Sequence, residues 1–231
     1  PTPVSVLAKG KWVKRDGKDQ NSYPNVSWKE LGFEPLTLDW DLTIDDLQFS
    51  MPFGIQMENS VIMKPYSIEI DVNGDELSYE HDECFFILID KKGHWRINTV
   101  VKGFASKLDG LASSFTHTGD IILIGKKKKD MVRAFQRLKE LGGGIVLSED
   151  ETILHEIRLP LKGVSSNKPL PELIEEVKQF SVFLRERGYK FNDPIDSLLF
   201  FSSTHIPYIR VTQQGMYDVM KKTVLFPTIM R

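Results

Sequence analysis

The residues of this chain best suited to chemistry lie in one polar stretch, Ser113-Ser114-Phe115-Thr116-His117-Thr118-Gly119-Asp120. Hydroxyls, an imidazole and a carboxylate so close together could line or cap a pocket for a polar ligand. The same run also suits a plain polar turn leading into a buried strand, and residue types alone leave both readings open. The other candidates are dispersed. Five histidines stand at 81, 94, 117, 155 and 205, with no His-x-His pair and no helical His-x-x-x-His, so the chain shows no metal-binding motif. The single cysteine, Cys84, leads an apolar run and reads as a buried core residue. It also excludes an intrachain disulfide and the Pro-Cys-x-x-Cys element of the zinc deaminases. Glu80-His81-Asp82-Glu83, after Asp75-Glu76, sets an imidazole among carboxylates. These residues are contiguous and have no distant partner, the pattern of a solvated loop. Lys126 to Lys129 fall between a strand and a helix, where phosphate is often held. Without Gly-x-x-x-x-Gly-Lys-Ser/Thr, that run also reads as a solvated loop. His155 and His205 read as structural, and Arg210 as one half of an internal salt bridge.

Elements on either side must position the polar stretch. Ile121-Ile122-Leu123-Ile124, closed by Gly125, is short and β-branched and predicts a strand buried on both faces. Met131, Val132, Phe135, Leu138 and Leu141 recur at helical spacing, with Asp130 placed to cap the start and Gly142-Gly143-Gly144 to end the helix. Ile145-Val146-Leu147 is then a second strand, so the unit predicts a right-handed parallel crossover. Tyr66 to Val72 alternates strictly and Cys84 to Ile89 is continuously apolar, both predicting strands; Trp95 to Val101 pairs with the latter. Ile145 to Ser148 and Ile153 to Leu159 flank a hairpin turn. Pro171 opens a second helix that Gly188 stops. Asn192-Asp193-Pro194 turns into an apolar segment, Ile195 to Phe201, and Ser202 to Arg231 shows little periodicity. The fold class is therefore α/β in the mixed α+β sense: a central mixed β-sheet with a βαβ crossover and two main helices.

Ahead of these, Val4 to Lys18 gives two apolar runs and an Asp16-Gly17 turn, the signal of a hairpin. Residues 21–59 hold Tyr23, Pro24, Trp28, Phe33, Pro35, Trp40, Phe49, Pro52 and Phe53 without a sustained period. They read as an irregular packed linker anchored by its aromatics, with one short helical turn at Asp45-Asp46-Leu47. A length of 231 residues allows one large or two small domains. A net charge of −2 supplies no field to gather polyanions, which argues against nucleic acid and anionic membrane as partners. No stretch approaches a membrane span and no export pattern opens the chain, so a cytoplasmic protein is expected. Pro1-Thr2-Pro3 lacks an initiator methionine, which leads us to expect a piece of a longer polypeptide.

An ordered set of strings then brings a family into view. V-K-G-F from Val101, G-L-A-S-S-F-T-H from Gly110, D-I-I-L-I-G from Asp120 and R-L-K-E-L-G-G-G-I-V from Arg137 are followed by Leu159-Pro160-Leu161 and Asp193-Pro194. Ile206-Pro207-Tyr208-Ile209-Arg210-Val211-Thr212, Gly215 and Asp218-Val219 complete it. In this order and nearly this spacing, the set resembles the C-terminal domain of the bacterial adenine deaminases, of the amidohydrolase superfamily, over most of residues 84–219. The hairpin V-L-A-K-G-K-W-V-K-R-D-G-K is similar to the last hairpin of the small β-sandwich in that superfamily.

The resemblance implies three regions: 1–20, the end of that sandwich; 21–59, the linker; and 60–231, a C-terminal-like domain. It implies hydrolysis of adenine to hypoxanthine and ammonia by the complete protein, in purine salvage. Two divalent ions, manganese or iron, would sit in an N-terminal catalytic barrel, with no metal and no catalytic residue on this chain. A barrel takes about 250 residues, and only two clear helices are legible here, so the chain alone is expected to be inactive. The barrel would be this domain's own partner, with a purine as substrate. Ser113, Ser114, His117 and Asp120 would line the pocket. The family loop is of the type S-S-x-A-H-D-S-H-N; here Thr118-Gly119-Asp120 leaves the second histidine without a counterpart, which bears on adenine specificity. The alternatives are a packing and oligomerisation module, forming homo-oligomers in an amidohydrolase with a different or lost substrate, and a free-standing ligand-binding domain.

Overall fold

The computed structural model describes residues 2–20, 26–49 and 51–231. Tyr23 and Pro24 lie outside the described residues. Two units are distinguished, Pro1–Gly32 and Phe33–Arg231. In the first, β1 (Val6–Ala8), β2 (Lys11–Arg15) and β3 (Lys18–Asp19) form an antiparallel meander, in which β2 and β3 are joined at the expected Asp16-Gly17 turn. Leu7 and Trp12 stand exposed on it.

The second unit is built on a mixed sheet. Its strands are β4 (Phe53–Met57), β5 (Met63–Ser67), β6 (Glu83–Ile89), β7 (Trp95–Lys102), β8 (Gly110–Ser113) and β9 (Ile121–Gly125). Helix α1 (Lys128–Leu141) leads to β10 (Gly144–Glu149) and β11 (Thr152–Arg158). The order is β11-β10-β8-β9-β6-β7-β4-β5, all antiparallel neighbours except β7 and β4, which run parallel. Helices α2 (Leu170–Glu186) and α3 (Pro194–Phe200) follow. Strands β12 (Ile209–Thr212), β13 (Gly215–Asp218) and β14 (Thr223–Pro227) make a small second sheet, and β15 (Ile229–Met230) pairs with β7.

Each face of the main sheet has its own core. Strand β6 is buried along its whole length, so its side chains supply both faces in alternation. Cys84, Phe86 and Leu88 meet Phe180 and Leu184 of α2, Leu198 of α3 and Val211 and Met216 of the small sheet. Phe85, Ile87 and Ile89 meet Met131, Phe135 and Leu138 of α1, together with Leu38, Leu42 and Leu47. Cys84 is fully buried as expected, and burial pushes its thiol up to about 12, so it is protonated and inert.

Several expectations are corrected. Strands β9 and β10 are parallel, but they are not neighbours. The short strand β8 lies between them, antiparallel to both, so the crossover steps over one strand. β8 carries almost no hydrophobic signal because α1 packs directly over it: a Cβ on Gly110 would come within 2.3 Å of the Asp130 backbone. Asp130 does not cap α1. The cap position is Lys127, and the Asp130 carboxylate is turned inward to accept from Ser148 Oγ at 2.6 Å and Glu151 N at 2.9 Å. The helix ends as expected at Gly142, in the left-handed conformation with φ 71°. Within the supposed linker, Phe53–Met57 form β4, and Ile44–Leu47 form the short turn of 3-10 helix. The alternation at 66–72 yields a strand only as far as Ser67. Ile195 to Phe201 is mostly helical, making α3 a third helix capped by Asp193, and the tail after Ser202 contributes four strands.

The lysine run is not a solvated loop. Lys126 and Lys128 are both fully buried. Lys126 Nζ donates to Ser78 O at 2.8 Å and His81 O at 2.7 Å, and burial lowers its pKa. Lys128 Nζ lies 3.3 Å from Asp75 and 5.0 Å above the Phe85 ring. Lys127 bridges Asp109 and Asp150, both at 2.8 Å. Arg210 makes no salt bridge among the described residues. Fully buried, it donates to the carbonyls of Ser203, Ile209 and Val61, and burial lowers its pKa to about 10.

Candidate functional site

The four residues singled out in the polar stretch separate into two pairs. Ser113 ends β8 and Ser114 follows it, both inside the protein, at 0% and 1% exposure. Ser113 Oγ accepts from Phe115 N at 3.0 Å. Ser114 Oγ donates to Gly163 O at 2.5 Å and accepts from Gly144 N at 2.8 Å, tying β8 to the start of β10 and to the loop beyond β11. Neither serine is among the residues lining the cavity described next, because a strand hemmed in by α1 and β10 turns both hydroxyls toward backbone.

His117 and Asp120 do reach a cavity of about 830 Å³. The chain leaves β8, turns, and enters β9, with the turn fixed by Thr116 Oγ1 donating to Asp120 O at 2.8 Å. This leaves the His117 ring exposed at the rim and Asp120 largely buried below it. Burial raises the Asp120 pKa, while the Thr118 side chain and the Lys91 backbone pull it back by hydrogen bonding.

The facing wall comes from segments that nothing in the sequence marks as part of a site. The turn after α3 brings Ser202 and Thr204 to the cavity, and the small sheet brings Thr212 and Tyr217; Asp90 and Trp95 come from the β6–β7 hairpin. The same turn sets the His205 ring beside His117, with centroids 5.3 Å apart and planes at 51°. A second imidazole thus stands beside His117, supplied by a distant segment of the chain. Only the pairing of tail strands with the turn after α3 makes this visible, and short strands of mixed composition hide it. His155 stays apart, as expected of a structural residue: its ring lies 5.4 Å from that of Phe183 and its Nε2 is 3.1 Å from Glu176 O.

The donors do not fit a metal centre. Two histidine rings alone make an incomplete set, and among the described residues no three His, Cys, Asp or Glu side chains converge. The acidic stretch 80–83 borders another cavity, of about 770 Å³, where Lys102 pairs with Glu83 at 3.1 Å. No helix among the described residues is long and apolar enough to cross a membrane.

With this geometry in view, comparison with known proteins is informative. The family model described as the adenine deaminase C-terminal domain matches residues 60–223. A protein of Halalkalibacterium halodurans, provisionally named an adenine deaminase, is 58% identical over all 231 residues of the chain. One of Bacillus subtilis, named in the same provisional way, is 53% identical over 231 residues. A protein of Dehalococcoides mccartyi named adenine deaminase is 26% identical over 223 residues, 93% of the chain. The chain spans about 40% of the length of these relatives, 40% for the first two and 39% for the third. The chain belongs to the adenine deaminase C-terminal domain family.

Proposed function

We propose that the chain is the metal-free part of a hydrolytic adenine deaminase, a purine-salvage enzyme of the cytoplasm that converts adenine and water to hypoxanthine and ammonia. One observation carries this reading: similarity covers the whole chain for relatives that bear that name provisionally. The manganese or iron ions belong, in this reading, to an N-terminal barrel outside the 231 residues. Such ions lower the pKa of bound water to about 7 and so supply hydroxide at neutral pH. This chain's own part is to bind and orient. His117 at the rim, with the His205 ring beside it, and Asp120 below offer donors and acceptors to the edge of a heterocycle and close its site against bulk water.

A purine panel assayed with the metal-loaded full-length protein tests the reading. Ammonia should be released from adenine in preference to other amino-substituted bases. Replacing His117 by Ala should lower kcat/KM for adenine by about tenfold or more. Indifference to adenine, with turnover of another ring, would favour the second reading, a packing and oligomerisation module. The internal bonding of Ser113 and Ser114 supports that alternative.

A further inference from the structure

Helix α2 is seated on the sheet along only half its length. Its C-terminal half drives Phe180 and Leu184 into the core, where both are fully buried. Toward its N-terminus Leu173 and Val177 are only partly buried, and Leu170 and Ile174 stand 67% and 44% exposed. An apolar groove of about 340 Å³ runs beside that half. It is lined by Leu173 and Val177 together with Ile145 of β10, Ile157 of β11, Phe115 and Ile195. Such a groove, continuous with two exposed aliphatic side chains, forgoes hydrophobic stabilisation for as long as it faces water.

The place of the groove in the fold narrows the choice of occupant. Ile145 pairs with Ile157 and Ser113, Ser113 with Ile122, and Ile121 with Ile89. The groove and the His117 cavity are therefore lined from the same end of the main sheet. One loop serves both: Phe115 lines the groove, and His117, two residues on, lines the cavity. Charges nearby pair locally, Lys168 with Glu176 and Lys178 with Glu175 at 3.8 Å, which leaves little field to draw a charged partner. A separate protein needs about 800 Å² on each side for a stable complex, more than so small a groove presents. A segment of the same polypeptide needs far less, because tethering holds its effective concentration in the millimolar range. The relatives carry such polypeptide, since this chain spans about 40% of their length. We propose that the groove, with Leu170 and Ile174 at its border, seats an apolar segment from the N-terminal portion of the full-length protein. That contact holds the end of the sheet bearing the His117 cavity against the same portion. The proposal rests on the reading of this chain as one part of a longer enzyme and takes nothing from the substrate assigned to it.

Cysteine labelling of the full-length protein tests the proposal. Ile174→Cys and Val182→Cys are made separately, Val182 being 54% exposed on the seated half of the same helix. Each protein is treated with a water-soluble maleimide under native conditions, and modification at the substituted position is followed by mass spectrometry of its peptide. Ile174→Cys should react at least about tenfold more slowly than Val182→Cys, and at the same rate once both are unfolded in urea. Adding Leu170→Glu should bring the Ile174→Cys rate up to the Val182→Cys value, because a carboxylate cannot enter the apolar contact. Leu170 is exposed, so the fold itself tolerates that change. Equal native rates at the two positions would overturn the proposal, as would protection that survives Leu170→Glu. Protection lost on dilution, in step with a dimer seen by light scattering, would also overturn it, since the occupant would then be a second copy. Ammonia release from adenine beside equal labelling rates would sink the proposal alone. Protection of Ile174→Cys in a protein inert toward adenine would sink the deaminase reading alone.

Discussion

Two polar regions of the second unit use similar residues to opposite ends. Around Lys126, Lys127 and Lys128, buried or half-buried charges each find a partner: carbonyls of Ser78 and His81, carboxylates of Asp109, Asp150 and Asp75. Around His117, with the His205 ring beside it, the side chains are exposed at the rim of a cavity. The first region is closed and holds the segment 75–83 against β9 and α1; the second is open. A run of charge is therefore a poor guide to function here, and an open polar cavity a better one.

The comparison makes graded predictions. The largest effect belongs to the closed region. Lys126→Met fills the volume but strips two buried carbonyls of their donor, and should destabilise the chain by about 3 kcal/mol in urea unfolding. A cost below about 1 kcal/mol would show that water replaces the ammonium and that the region is not closed. Ser114→Ala should come next, at about 2 kcal/mol, since Gly144 N and Gly163 O lose their shared partner, with adenine turnover by the full-length protein unaffected. Linked loss of turnover would place Ser114 in the site after all.

The pH dependence of stability tests a smaller effect. Burial lowers the His155 pKa below its ordinary value of 6.5, so the unfolded chain takes up a proton that the folded chain refuses. The contribution is fully present above pH 6.5 and declines as pH falls from 6.5 through the lowered folded value. His155→Gln should flatten that part of the profile, and an unchanged slope would assign it elsewhere. Smallest in stability, His117→Ala and His205→Ala should each shift unfolding by no more than about 0.5 kcal/mol, being exposed, yet both should impair adenine turnover by the full-length protein. Equal losses of stability and turnover would make the open region a second structural one.

The sequence was most legible where one signal was strong. The apolar runs of β6 and β9 and the periodic faces of α1 and α2 announced themselves because burial on a fixed period leaves a pattern. Strand β8 did not, since Gly110 and Ala112 are small to admit α1 and carry no period-2 contrast. The burial of Lys126 and Lys128 leaves no mark in composition, which cannot show that carbonyls of residues 78 and 81 surround one ammonium and that Asp75 and the Phe85 ring receive the other. In the site, the His117 loop was visible as a string and through its family likeness. Ser202 and His205 were not, since their place depends on the bond from Arg210 to Ser203 O and on short tail strands that meet the turn only in three dimensions.

The most direct measurement sets the metal-loaded full-length protein beside the 231-residue chain in one assay for ammonia released from adenine, with metal content determined for both. The account predicts release and bound manganese or iron for the full-length protein, and neither for the chain. Stoichiometric metal and adenine turnover from the chain alone would contradict it.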